Sequence, residues 1–345
     1  MYIHVLYIVY VVILYVIENL ILKKNNHKLF IIGSILGIVL IQGLRADTVG
    51  IDLTAYLPAY EKVRKINIFS DEFKNFERGY IIFSGIFSKL RVNKQIYLTI
   101  VSFLSITPIY LMIYRNSKSP LVSILIFILF VFYIFTFSGL RQSLALGMTC
   151  FSLKYIKEKK IIKFCLVVLL ASTFHLSALV FLLAYPMYYA KLDSKYLFFI
   201  IFAFVICLLF RNQIFVFLSK LYKGEEINIE ETNAYMTLIV FAGIVLLSYI
   251  FDSKKYSKTS SIRNLMVIAT FLQIFSSVSN VAMRAGMYYS IYITILIPNL
   301  IEEQSDKKIK YVAYPIVIMI FSYTFIKNMM SNYLNVADYS FFWNK

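Results

Sequence analysis

Two short polar segments interrupt long apolar runs of this chain, and they carry residue types that could bind an anion and move a proton. FSGLRQSLALG, 137 to 147, contains Arg141 and Gln142, and STFHLSA contains His175. An arginine guanidinium is planar and stays charged, so it can hold phosphate oxygens through two parallel hydrogen bonds. A neutral imidazole can accept a proton as a general base. We therefore take Arg141 and His175 as candidate catalytic residues, with Arg284 as a third.

A third segment, RADTVGIDLTAYLPAY, brings two carboxylates close together in the sequence and follows them with tyrosines. Carboxylates can accept hydrogen bonds from sugar hydroxyls or orient an arginine, and tyrosine rings can stack on sugar faces. Candidate substrate-binding residues are therefore Arg45, Asp47, Asp52, Tyr56 and Gln142. The alternative is an ordinary polar loop that turns around Gly50. An arginine at a helix end can also extend to the lipid headgroups, and a lone histidine can be a packing residue.

The elements that must position these residues are apolar. Of the 345 residues, 60% are hydrophobic and 15% are charged, and the mean hydropathy is +0.74. The apolar runs exceed what a soluble core of this size needs, and each can cross about 30 Å of hydrocarbon as a helix. The first run is too long for a signal-peptide core and lacks a small-residue cleavage site after it, so we interpret it as a permanent helix.

These runs predict an all-α fold, a polytopic integral membrane bundle of about 11 to 12 transmembrane helices. We expect residues 1–345 to form a single transmembrane domain. The predicted spans are 3–22, 29–45, 96–114, 121–138, 140–156, 161–190, 196–211, 235–252, 262–280, 285–304 and 309–327.

Lysine-rich clusters between the runs predict the orientation, because such clusters usually face the cytoplasm. Simple alternation satisfies every cluster only if the run 161–190 crosses twice, although each half is short for a crossing that needs about 20 residues. A break between Thr173 and Ser177 allows two crossings and puts both termini outside. A single crossing would invert every later loop and remove Arg284 from the site. The clusters are 23–28, 115–118, 154–163, 252–258 and 305–310.

With both termini outside, the polar segments of the outer face can be assigned. They are 46–94, in which we expect a short interfacial helix, the loop 212–234, and the C-terminal tail 328–345. All candidate site residues come to this face or to helix ends beside it. Their convergence favours a cationic pocket for an anionic substrate over a set of unrelated arginines.

Several function classes are disfavoured. The net charge of +17 comes largely from lysines at the ends of apolar runs, so topology explains it and we expect no nucleic-acid partner. The three cysteines have no spacing typical of a metal or redox site. No phosphate-binding loop, HExxH motif or nucleophile elbow is found in the sequence. We therefore expect neither a metal nor a cofactor, with the energy of the reaction coming from the substrate.

Three segments in this order resemble the EpsG family, which belongs with the Wzy-type polysaccharide polymerases. They are the pattern R-x-D-x-x-G-x-D-x-x-x-Y over 45–56, the helix start GLRQSLA, and FHLSAL beginning at Phe174. The resemblance extends from Arg45 to the final YSFFW. It implies a multi-pass enzyme of the bacterial cytoplasmic membrane that joins undecaprenyl-diphosphate-linked oligosaccharide repeat units on the outer face.

The resemblance also suggests roles and partners. Arg141 and Arg284 would stabilise the departing diphosphate, His175 would be the base, and Arg45 with Asp52 would position the sugar. Membrane lipid and a chain-length regulator protein would be partners, for O-antigen, capsule or exopolysaccharide synthesis. The rivals are a flippase for the same lipid-linked sugar and another outer-face glycan ligase or acyltransferase. A flippase should carry charge at mid-membrane depth and show two related halves, neither of which is evident here.

Overall fold

The computed structural model of the chain describes residues 1–23, 26–223, 235–251 and 257–344. It confirms the all-α fold of a polytopic membrane protein. In this described part, no segment forms a regular strand, and the β-type pairing is an isolated antiparallel bridge between Arg45 and Phe341. An α-helix satisfies its own backbone hydrogen bonds, which is what an apolar chain needs inside lipid.

Fewer helices than expected are long enough to span a membrane alone. Among the described residues, three helical segments pass tests of length and hydropathy, and the number rises to five if each of two bent helix pairs is one span. The total of about 11 to 12 spans stays a prediction, since a straight crossing takes about 20 residues. The long segments are Tyr2–Ile21, Lys94–Asn116 and Lys307–Ser331, and the shorter apolar helices are Lys28–Gly43, Ile161–Phe174, Leu176–Tyr189 and Tyr235–Phe251.

The chain divides into two compact units. The first unit contains Met1–Leu179 and Tyr311–Lys345, and the second contains Val180–Lys310. The helices that begin in the first unit before residue 180 are α1 (Tyr2–Val16), α2 (Lys28–Gly43), α3 (Leu53–Lys62), α4 (Arg78–Lys89), α5 (Lys94–Asn116), α6 (Pro120–Leu129), α7 (Val131–Ser138), α8 (Leu140–Lys157) and α9 (Ile161–Phe174).

The second unit begins within the 3-10 segment Leu176–Leu183. Its helices are α10 (Ala184–Tyr189), α11 (Leu197–Leu209), α12 (Arg211–Lys223), α13 (Tyr235–Phe251), α14 (Lys258–Ser276), α15 (Asn280–Ser290) and α16 (Ile293–Glu302), and the last helix, α17 (Lys307–Ser331), leads back into the first unit. Residues 224–234 of the predicted outer loop 212–234 lie outside the described residues.

Small residues let the central helices of the first unit approach closely. A Cβ atom on Gly147 of α8 would come within 2.7 Å of the carbonyl oxygen of Ser105 in α5. Such contacts are common between membrane helices, which associate through close packing because lipid provides little hydrophobic drive. Inside the unit, Gln42 of α2 donates from Nε2 to the Thr136 hydroxyl of α7 over 2.6 Å. Helix α8 is thereby held against α5, with α7 fixed beside α2.

Helix α9 ends where the sequence predicts a break. Its last residue is Phe174, and His175 has extended backbone angles, φ −155° and ψ 114°. The chain then continues as the 3-10 segment rather than as an α-helix. The histidine therefore stands at a helix end, while the number of crossings made by 161–190 stays a prediction.

The polar segment after α2 folds into short helices. It contains α3, a single 3-10 turn at Asp71–Phe73, and α4. Helix α4 falls within the range 46–94 where a short interfacial helix is expected, and its place at a membrane interface stays a prediction. The C-terminal tail pairs with the start of this segment, since Ala46 donates its backbone N–H to the Ser340 carbonyl over 2.9 Å. These elements and the ends of α7, α8 and α9 form one end of the first unit, which we call the polar end.

Candidate functional site

A single carboxylate joins two of the predicted catalytic residues at the polar end. Glu77 Oε1 accepts a hydrogen bond from His175 Nδ1 over 2.9 Å, and Glu77 Oε2 forms an ion pair with Arg141 Nη1. The partners of Glu77 lie 98 and 64 positions away in the sequence. Folding therefore brings His175 and Arg141 to the two oxygens of one side chain.

Helix ends position these three groups. Glu77 immediately precedes α4, with extended backbone angles, where a negative charge is favoured by the helix dipole. Arg141 is the second residue of α8, and His175 follows the last residue of α9. The backbone N–H of Leu176 also donates to Glu77 Oε1, over 3.3 Å. The histidine is consequently fixed by its ring and by the backbone that follows it.

The protonation state of Glu77 assigns the histidine tautomer. Burial alone would raise the pKa of the Glu77 carboxyl, but the hydrogen bond from His175 and the charge of Arg141 outweigh it and lower the pKa to about 2. An ionised carboxylate only accepts hydrogen bonds, so His175 Nδ1 must carry the proton. In the neutral ring Nε2 then has the free lone pair, and no hydrogen bond from Nε2 is found within the described part of the chain. The side chain of His175 is 13% exposed.

Aromatic rings and a carbonyl complete the surroundings of Arg141. Nη1 also donates to the Asn75 carbonyl over 2.9 Å, and Nε donates to the Tyr56 hydroxyl over 3.4 Å. The guanidinium carbon lies 5.0 Å from the centre of the Phe76 ring and 5.6 Å from that of Tyr56. The side chain keeps 17% of its surface exposed. We call Tyr56, Phe76, Glu77, Arg141 and His175 the Arg141 cluster.

Arg45 has very different surroundings. It is completely buried, and none of its three guanidinium nitrogens has a hydrogen-bond partner among the described residues. The guanidinium carbon lies 5.3 Å from the centre of the Phe137 ring. An arginine guanidinium keeps its proton in proteins, and Tyr339 lies close enough to interact with its charge. Arg45 therefore remains a cation at neutral pH, but in this arrangement it offers no surface to a substrate. We call Arg45, Phe137 and Tyr339 the Arg45 site.

The segments that carry both sites fall within a match to a known family. The model of the EpsG family matches residues 28–341, nearly the whole chain. The chain belongs to the EpsG family. This confirms the resemblance seen in the sequence and makes the EpsG-family chain a Wzy-type polymerase-like membrane protein. No curated protein and no solved structure matches the chain.

The other predicted site residues of this EpsG-family protein are less closely grouped. Asp47 forms an ion pair with Lys94 at the start of α5. Asp52 immediately precedes α3, and its backbone N–H donates to the Ser138 hydroxyl over 3.2 Å. Gln142 is buried beside Arg141 in α8. The structure therefore brings Tyr56, Arg141 and His175 together, with Asp52 tied to the end of α7.

Arg284 belongs to the second unit of the EpsG-family chain. It lies on α15, where its side chain is exposed. That unit has its own polar packing, in which Arg263 donates to the Leu192 carbonyl over 2.6 Å and lies 3.9 Å from the centre of the Tyr249 ring. A diphosphate-binding role for Arg284 stays a prediction.

Sequence reasoning missed Glu77. In the sequence it is one acidic residue in the mixed-charge stretch DEFKNFER, which is typical of an exposed loop. Its position directly before the helix RGYIIFSGIFSK is a weak signal for a helix start. In the part of the chain that the structure describes, no group of three or more His, Cys, Asp or Glu side chains is arranged to hold a metal ion.

Proposed function

We propose that this EpsG-family protein is a glycosyltransferase that joins undecaprenyl-diphosphate-linked oligosaccharide repeat units on the outer face of the bacterial cytoplasmic membrane, without a metal ion. Polymerase-like function in general follows from the family. The donor, the membrane and its face are our proposal. They are supported by the basic segments 115–118 and 154–163, which lie at the ends of α5 and α8 opposite to the Arg141 cluster. There Lys157 of α8 donates to Asn116 at the end of α5.

One observation carries the proposal: Arg141 and His175 contact the two oxygens of the same carboxylate. A cation for phosphate oxygens and an imidazole with a free Nε2 are thereby held within the reach of one side chain. Glycosyl transfer from a lipid diphosphate needs both groups, since a proton must leave the attacking hydroxyl as negative charge develops on the leaving group.

In the proposed reaction, an acceptor hydroxyl oxygen bonds to the anomeric carbon of the donor as the bond from that carbon to the diphosphate oxygen breaks. His175 Nε2 takes the hydroxyl proton, and the bonding electrons leave with the diphosphate. Arg141 stabilises the added negative charge, an effect worth about 2.7–4 kcal/mol for one well-placed donor. We assign Arg284 as a second cation for the diphosphate.

The remaining predicted residues would bind the sugars. Asp47, Asp52 and Gln142 would exchange hydrogen bonds with hydroxyl groups, and the Tyr56 ring, which lies beside Arg141, would stack on a sugar face. Arg45 would support this loop from beneath, because its side chain is buried. Undecaprenyl-diphosphate-linked oligosaccharide would be the substrate, with membrane lipid and a chain-length regulator protein as partners.

The test is the length distribution of the surface glycan in cells that express wild type, Arg141→Ala or a control variant at equal membrane abundance. Arg115→Ala is the matched control, because Arg115 is exposed at the opposite end of α5. We expect the control to give the wild-type ladder on a gel and Arg141→Ala to give single repeat units. Loss of all surface glycan, with lipid-linked units retained inside, would indicate a flippase instead.

A further inference from the structure

Glu77 stands between the two groups that the proposed reaction needs, and it touches each through a different oxygen. Oε1 accepts hydrogen bonds from His175 Nδ1 and from the Leu176 N–H, while Oε2 accepts one from Arg141 Nη1. The carboxylate is 22% exposed, so water reaches it only in part. A mostly buried ion pair of this kind affects both partners more strongly than an exposed one.

We propose that Glu77 is a positioning residue with two opposing effects: it fixes His175 with Nε2 free to act as the base, and it holds Arg141 back from the diphosphate. This inference rests on the proposed function for the identity of the reaction. Glu77 itself need not touch the substrate.

The first effect follows from hydrogen-bond chemistry. A carboxylate can only accept, so its contact with Nδ1 excludes the tautomer that carries its proton on Nε2. An amide in its place has one accepting and one donating end, and it cannot accept from Arg141 and from His175 at once. A guanidinium only donates, whereas an imidazole can accept on Nδ1 once its proton moves to Nε2. The amide should therefore turn its oxygen to Arg141 and its NH₂ to His175, which leaves the imidazole in the wrong tautomer. A base held in the wrong tautomer loses most of its effect, because general-base catalysis contributes about 10²–10⁴-fold.

The second effect is electrostatic competition. An incoming diphosphate and Glu77 are both anions, and both seek the Arg141 guanidinium. Nη2 makes no hydrogen bond within the described ranges and faces no such competition, whereas Nη1 is held by Glu77 and the Asn75 carbonyl. Removing the charge of Glu77 should therefore strengthen diphosphate binding even as it slows the reaction. The same arrangement would help the product diphosphate to leave.

The experiment compares wild type with Glu77→Gln in the full-length protein. Binding of inorganic diphosphate to the purified protein in detergent is measured by calorimetry, and glycan length is measured in cells. We expect the Kd for diphosphate to fall by up to about fivefold, the scale of a partly exposed ion pair, and the yield of long polymer to fall at least about tenfold. Glu72→Gln removes the same charge from an exposed ion pair with Lys62 in the same segment and should change neither quantity.

If Glu77 is a positioning residue, Glu77→Gln binds diphosphate more tightly but makes less long polymer. If Glu77 only supports the structure, diphosphate binding and polymer yield should fall together. If Glu77→Gln weakens diphosphate binding, or leaves both binding and polymer unchanged, the proposal is wrong. Glu77→Asp keeps an acceptor on both sides and should recover part of the polymer that Glu77→Gln loses. Should Glu77→Gln fail to fold, the diphosphate affinity of Glu77→Asp decides. Its carboxylate lies farther from Arg141 and holds the guanidinium less tightly, so diphosphate binding should tighten, and weaker binding would contradict the proposal.

A spectroscopic test does not depend on the reaction. The chain has three histidines, so ¹⁵N-histidine spectra of wild type, with His175→Gln for assignment, should show His175 protonated on Nδ1. Loss of that signature in Glu77→Gln is expected. If the signature is unchanged in Glu77→Gln, the proposal fails whatever the enzyme does. If it changes while Arg141→Ala cells lose all surface glycan and retain lipid-linked units inside, Glu77 positions His175 and only the proposed function is wrong.

Discussion

Two arginines at the polar end of the first unit have opposite surroundings. Arg141 is ion-paired with Glu77, bonded to a carbonyl and partly exposed. Arg45 is fully buried, has no acceptor among the described residues and lies over the Phe137 ring. A partly exposed guanidinium that can exchange its carboxylate partner for another anion is suited to binding an anionic substrate. A guanidinium enclosed by rings is suited to holding a loop in place.

The difference shows that residue type and topology do not by themselves define a site. Both arginines satisfy the sequence criterion of a cation at an outer helix end. At the Arg141 cluster the arginine is partly exposed and shares a carboxylate with a histidine, whereas Arg45 is fully buried. The two regions should therefore respond differently to substitution, with loss of chemistry at the Arg141 cluster and changes in stability at the Arg45 site.

The largest expected effect is on chemistry. We expect His175→Gln to lower polymer formation by about 10²–10⁴-fold, the usual contribution of a general base, with little change in the thermal unfolding midpoint. The measurement is glycan length together with unfolding of the purified protein. His27→Gln, near the start of α2, is the matched control and should behave as wild type. A variant that loses its fold together with its activity would show that the histidine is structural.

The second effect is on stability, in the loop that follows Arg45. Gly50 has a φ of +103°, and a Cβ there would come within 2.4 Å of the Phe137 carbonyl oxygen. We expect Gly50→Ala to lower the free energy of unfolding by about 2–3 kcal/mol, since both the backbone angle and the contact are unfavourable. Thermal unfolding in detergent measures this.

Gly243→Ala provides the control for Gly50. A Cβ on Gly243 has no neighbour within 4 Å, and α13 continues on both sides of it. Alanine should therefore be neutral or stabilising there, by up to about 1 kcal/mol. If Gly50→Ala and Gly243→Ala change the free energy of unfolding equally, the loop does not need a residue with positive φ at position 50.

The third effect depends on pH and tests the charge of Glu77. Its pKa of about 2 in the folded protein is below that of an ordinary glutamate, about 4.3. The ionised carboxylate thus stabilises the fold above about pH 4.3, and this contribution is lost as the pH falls through the folded value. It amounts to about 1–2 kcal/mol after allowance for solvent screening.

The measurement is the difference in unfolding free energy between wild type and Glu77→Gln. It should be constant from pH 8 to pH 5, then shrink at lower pH. A difference that already declines between pH 8 and pH 6 would show that another titrating group controls the cluster.

Sequence reasoning predicted the helical membrane fold, the helix end at His175 and the family, because long apolar runs and short motifs are local signals. It could not predict the pairing of Arg141 with Glu77, which depends on how α4, α8 and α9 pack. It also placed Arg45 among the substrate contacts, a role that stays a prediction, and could not foresee that the C-terminal tail covers this residue. The tail that covers Arg45 lies almost 300 positions further along the chain, since Asn335 donates to the Thr48 carbonyl across 287 positions.

The smallest expected effect tests whether Arg45, like Arg141, contacts the substrate. Burial of an ion costs several kcal/mol, whereas a ring below a desolvated guanidinium returns about 2 kcal/mol. Arg45→Met keeps the length of the side chain and removes the charge, so we expect the free energy of unfolding to rise by about 1 kcal/mol. Polymer formation should fall by less than about tenfold, the equivalent of 1.4 kcal/mol.

Arg64→Met, an exposed position in the same polar segment, is the control for removal of a positive charge and should match wild type. If Arg45→Met abolishes polymer formation while the protein stays folded, Arg45 must reach the substrate. The C-terminal tail would then have to leave the loop during the reaction, because Phe342 donates to the Leu44 carbonyl over 3.0 Å and closes the site as it stands. In that case both arginines would bind anions, Arg141 in an open site and Arg45 in a site that the tail covers. Arg45 would then not be a purely structural residue.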